Sequence, residues 1–112
     1  MYGKLIKIVK GINFSITGEN SHGKFEVRPT SFMELSRCPE TAIVVGTIIT
    51  GKTEKGNSLN LVFSKGEPVS EIAENLQIQH KDVPSAEKSM SIGIKLSRMT
   101  FQALKDRNAA GG

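Results

Sequence analysis

The clearest signal along the chain is alternation. Met90, Ile92, Ile94 and Leu96 take every second position, with Ser91, Gly93 and Lys95 between them. A period of two sends alternate side chains to opposite faces, so residues 90–96 are expected to form a half-buried strand. A longer run near the start behaves the same way. Ile6, Ile8, Ile12, Phe14 and Ile16 share one parity that Lys10 interrupts, while Lys7, Gly11, Asn13 and Ser15 take the other. Residues 4–16 read as one long strand in which Gly11 permits a bend or a bulge. In a second strand Phe25 and Val27 alternate with Lys24, Glu26 and Arg28. Pro29 is expected to end it, because proline cannot donate to a strand ladder.

The middle of the chain carries mixed signals. Ser31 and Glu34 have the spacing of a capping box, which predicts a short helical turn over residues 31–36, closed by Cys38 and Pro39. Ile43, Val44, Val45, Ile48 and Ile49 make residues 41–50 strongly β-prone. With the polar stretch 51–57 and a further strand over 58–64, they read as one β-hairpin bearing Lys52 and Lys55 at its tip. Glu67 and Pro68 look like a helix start, and Val69, Ile72, Ala73 and Leu76 fit a helical stripe. That periodicity blurs where Leu76, Ile78 and His80 alternate instead. Residues 81–88 read as a polar loop around Pro84. Ser97 is placed to cap a last helix anchored by Phe101 and Leu104, with a frayed tail from Asn108 onward.

These elements predict a mainly β chain with one or two helices, as a small curved sheet or an OB-like barrel with a C-terminal helix. A chain of 112 residues suits a single domain, expected over 1–108 with a flexible tail at 109–112. Apolar residues are 38% and charged ones 23%, a balance that can build a core without staples. The single Cys38 cannot form an internal disulfide, so a reducing, cytoplasmic setting is expected. No run approaches the ~20 apolar residues of a membrane span. Lys4 and Lys7 break up the start where a signal peptide needs an unbroken apolar core, so neither a targeting segment nor a membrane is expected.

Candidate chemistry is sparse. Gly46, Gly51, Lys52 and Thr53 satisfy the phosphate-loop spacing G-x-x-x-x-G-K-[ST]. That loop needs a strand before it and a helix after it, whereas here the intervening residues are β-prone and turn chemistry follows. Asn13, Ser15 and Gly18 match half of the pattern of cyclic-dinucleotide-binding PilZ domains, but no arginine pair precedes them. Arg37 beside Cys38 could lower a thiol pKa, yet neither His22 nor His80 has a spacing that ties it to Cys38. Two histidines fall short of a zinc site. The expectation is a non-catalytic chain with no cofactor and no metal.

What remains is charge. Fifteen Lys and Arg against eleven Asp and Glu give +4, which favours a polyanionic partner. Single strands are held by basic grooves with aromatic faces on which bases stack. The candidate binding residues are Tyr2, Lys7, Lys24, Arg28, Lys52 and Lys55. Phe25 lies opposite the charges of its own strand and reads as core, as do Phe14, Phe63 and Phe101, which leaves Tyr2 for stacking.

The extended first strand, residues 24–28 and the 41–64 hairpin with Lys52 and Lys55 together resemble the small single-stranded-DNA-binding replication proteins of filamentous bacteriophages. The resemblance implies a homodimer that coats single strands cooperatively through a basic groove, in the cytoplasm of a bacterial host. The chain departs from those proteins in its few aromatics and its C-terminal helix. The alternative is a protein-interaction module, such as a phage- or plasmid-encoded inhibitor or adaptor, docking through a strand edge or the helix around Phe101 and Leu104.

Overall fold

In a computed structural model, residues 7–35, 38–79 and 81–111 are described. The first strand forms in two pieces, β1 (Lys7–Val9) and β2 (Phe14–Asn20), separated by the break at residues 10–13. β3 (Gly23–Leu35) holds both along one edge, β2 through Gly23–Val27 and β1 through Phe32–Glu34. β4 (Cys38–Thr50) lies along the other edge of β3. The remaining strands are β5 (Lys52–Glu54), β6 (Ser58–Phe63), β7 (Val69–Ile78), β8 (Lys81–Asp82), β9 (Ser85–Glu87) and β10 (Ser91–Leu96), and a helix, α1 (Phe101–Gly111), follows them.

The sheet closes on itself. β3, β2, β6, β7, β10 and β4 follow one another around it, and β4 pairs back to β3, so six antiparallel strands make a barrel. This is an OB-like barrel with one strand more than the five of the OB-fold. Alternation is clean where the ladder is regular: Leu59, Leu61 and Phe63 point inward from β6, and Ile92, Ile94 and Leu96 from β10. With Ile16, Val27, Val44, Ile48, Leu76 and their neighbours they fill the interior.

Several expectations give way to bulges. β3 does not stop at Pro29, and residues 31–35 are strand, not a helical turn. The register slips between Pro29 and Ser31, so Thr30 is an extra residue there, and a bulge is a place where a strand tolerates proline. Pro29 faces Gly46, where a Cβ would lie 2.6 Å from the Arg28 carbonyl oxygen. Close strand approach therefore requires Gly46, the glycine that also opens the phosphate-loop spacing.

The helix expected from Glu67 is β7. Its burial pattern inverts hydropathy at one step, because Glu71 is 3% exposed while Ile72 is 46% exposed. A bulge facing the end of β10 then shifts the inward parity from Ala73 to Leu76. A strand so patterned imitates a helical stripe. Glu71 is tolerated inside because one carboxylate oxygen accepts hydrogen bonds from the Ser97 N–H, the Ser97 hydroxyl and the Arg98 N–H, at 2.7, 2.9 and 2.9 Å. Ser97 is thereby occupied, and the cap of α1 is Thr100, whose Oγ1 accepts from the Ala103 N–H at 3.1 Å.

α1 plugs one end of the barrel. Phe101 and Leu104 are 4% and 0% exposed, so they are core and not a docking surface. The Phe101 ring lies 5.5 Å from that of Phe32. Asn108, expected in a frayed tail, is buried and bridges the break between β1 and β2. It accepts from the Asn13 N–H at 2.6 Å and donates to the Gly11 carbonyl at 2.6 Å. Among the described residues no helix is long and apolar enough to cross a membrane.

Candidate functional site

The opposite end of the barrel carries the charged candidates, but the expected hairpin is not there. β4 pairs with β3 and β10, and β6 with β2 and β7, so the two expected hairpin arms never touch as a ladder. Between them, β5 leaves the barrel and pairs with β9, with Lys52 opposite Glu87 and Thr53 opposite Ala86. The Thr53 side chain is fully buried. The phosphate-loop spacing thus spans strand, turn and strand, with its hydroxyl residue turned into the protein.

Asn20 and Asn57 tie this ribbon to the barrel. Asn20 donates to the Lys52 carbonyl at 2.7 Å and to Asn57 Oδ1 at 2.8 Å, and that oxygen also accepts from the Glu54 N–H at 2.8 Å. His22 in the β2–β3 turn lies 3.3 Å from the Glu54 carboxylate.

Beside this end a groove of about 590 Å³ crosses the outer face of β6, β2 and β3 and reaches the end of β4. The register builds its floor. Asn60, Thr17, Glu26 and Thr50 come from four successive strands and lie directly opposite one another, forming a row about 14 Å long at the usual strand spacing. In the neighbouring row Glu19 faces Lys24. Ser58 completes the polar lining. Phe25 also contacts the groove but is 2% exposed; its ring folds inward beneath Gly18, where a Cβ would meet it at 2.2 Å.

Of the residues singled out from sequence, Lys24 lines the groove, and Arg28 is exposed two outward positions further along β3. Neither is in an ion pair with a described residue. Lys52 lies just past Thr50 on β5. Lys55 is exposed in the next turn, where its charge acts on Asp82. Lys7 does not join them: its backbone is opposite Glu34, ten positions beyond Lys24 along β3, or roughly 30 Å of strand. Tyr2 lies outside the described residues. All five phenylalanines are at most 7% exposed, so none offers a stacking face.

Sequence reasoning missed Thr17, Glu19, Glu26, Thr50, Ser58 and Asn60 as groove residues. Their outward orientation follows from alternation, but the adjacency of β6 to β2 has no local signal. Among the described residues no group of three or more His, Cys, Asp or Glu is placed to hold a metal ion. The class that the fold defines is an OB-like barrel closed at one end by a helix and at the other by a two-stranded ribbon. No protein-family model, curated protein or solved structure matches the chain.

Proposed function

We propose that this chain binds single-stranded nucleic acid, without catalysis, across the outer face of β6, β2 and β3. The observation that carries the reading is the groove. It crosses adjacent strands of an OB-like barrel, has Lys24 in its lining, and has Arg28 and Lys52 at its margins. Barrels of this class take oligonucleotides across neighbouring strands and the loops at one end. With the phenylalanines buried, phosphate neutralisation and hydrogen bonds from Thr17, Ser58 and Asn60 do the holding, and Tyr2 is the remaining stacking candidate. The fullest form of the reading is a phage- or plasmid-type replication protein, a homodimer acting in the bacterial cytoplasm.

Anisotropy titration with a fluorescent oligonucleotide tests it. Three phosphate contacts at Lys24, Arg28 and Lys52 predict a fall of about 2 log units in affinity per log unit of salt, and Lys24→Ala should reduce that slope by about 0.7. Absence of binding at low salt overturns the proposal.

One observation favours a protein-interaction module instead. Among the described residues β3 is the only strand paired with β1, and Ile8 on β1 is 48% exposed, so β1 offers an edge for strand addition. Nuclease-insensitive co-purification with a host protein, together with no oligonucleotide binding, is the outcome that selects this reading.

A further inference from the structure

The groove contains charges of the wrong sign for a nonspecific phosphate channel. Glu19 and Glu26 both line it, and the side-chain carboxylate of neither is ion-paired or hydrogen-bonded to a described residue. Glu26 is half-buried and sits between Lys24 and Arg28 on β3, which are about 13 Å apart along the strand. A phosphate beside Glu26 would be repelled, so phosphates belong at Lys24 and Arg28. The part of the strand facing Glu26 must then be a base.

A carboxylate offers only acceptors, two oxygens side by side. Guanine is the one base whose pairing edge presents two adjacent donors, N1–H and the N2 amino group. Thymine and uracil present a single N–H between two carbonyl oxygens that repel a carboxylate. Adenine and cytosine present one amino group next to an acceptor nitrogen. In the same cross-strand row, the Thr17 hydroxyl and the Asn60 amide supply donors of the kind that guanine O6 needs.

Resting on the single-strand reading above, we infer that the groove selects guanine, with Glu26 as the residue that determines specificity. A bidentate pair of this type discriminates by about tenfold against the wrong base. The test uses three fluorescent oligonucleotides: oligothymidine, the same strand with isolated guanines, and the same strand with inosine at those positions, which lacks the N2 amino group. Anisotropy at one fixed low salt should rank guanine about tenfold above thymidine, with inosine losing most of the gain. Glu26→Gln should erase the ranking and, by removing a negative charge from the groove, raise oligothymidine affinity. Equal affinity for all three strands, or a guanine preference that persists in Glu26→Gln, overturns the inference and leaves single-strand binding standing. Failure of all three to bind overturns both.

Discussion

The two ends of the barrel are closed by different physics. At one end α1 buries Leu104 and sets Phe101 against Phe32, and Asn108 satisfies backbone groups at the β1–β2 break. Apolar area and buried hydrogen bonds hold that end together. At the other end the β5–β9 ribbon is held by its own short ladder, by Asn20 and Asn57, and by backbone bonds such as Lys55 N–H to the Pro84 carbonyl at 2.9 Å. Its side chains are mostly charged or polar. Local stability follows buried apolar contact, so the helix end is expected to be rigid and the ribbon end to open more readily. The groove lies beside the ribbon end, which places any adjustment to a ligand where the fold resists it least.

Phe101→Ala is the largest test of this contrast. It removes the ring that fills the helix end and should cost about 4 kcal/mol, read as a lower urea midpoint. Oligonucleotide affinity of the fraction still folded should stay near wild type, because Phe101 is remote from the groove lining. A loss below about 1 kcal/mol would mean that the helix only decorates the barrel.

A smaller effect is expected at the ribbon end. Asn57→Ala deletes the oxygen that accepts from Asn20 and from the Glu54 N–H. Water can reach these partly exposed groups, so the global cost should be about 1 kcal/mol. The signature is local: the Glu54 amide should exchange with solvent much faster while amides of β10 stay protected. Uniform loss of protection across the barrel would show that the two ends unfold as one unit.

The sequence made one half of this comparison far more legible than the other. β6 and β10 follow strict alternation, and Phe101 and Leu104 announce an apolar helix face, so the barrel walls and the helix end can be read locally. Burial of Glu71 and exposure of Ile72 disguised β7 as a helix, since the compensating hydrogen bonds come from Ser97 and Arg98, more than twenty positions away. The ribbon end was misread for a related reason. Residues 41–64 carry every local mark of a hairpin, but β5 finds its partner in β9, some thirty residues further on. For the candidate site, alternation identified Lys24 and Arg28 as outward-facing, whereas the row joining Glu26 to Thr17 and Asn60 depends on long-range register.

The smallest expected effect separates the ends by pH. Asp82 on β8, near the ribbon, accepts hydrogen bonds from Gln77 and Asn75, each at 3.0 Å. Those bonds, and more weakly the charge of Lys55, hold its pKa below the ordinary 3.8 against a small opposing desolvation. The native state therefore binds its proton less readily than the unfolded chain does. The resulting stability is present above 3.8 and is lost as pH falls below that through the folded value. Because Asp82 is fully exposed, the effect is slight. Urea midpoints compared between about pH 5 and about pH 3 should fall slightly less in Asp82→Asn than in the wild type. The Asn108 bonds at the helix end involve no titrating group, so Asn108→Ala should shift the midpoint by the same amount at both pH values. An Asn108→Ala loss that grew with acid would tie the helix end to a carboxylate and undo the contrast between the ends.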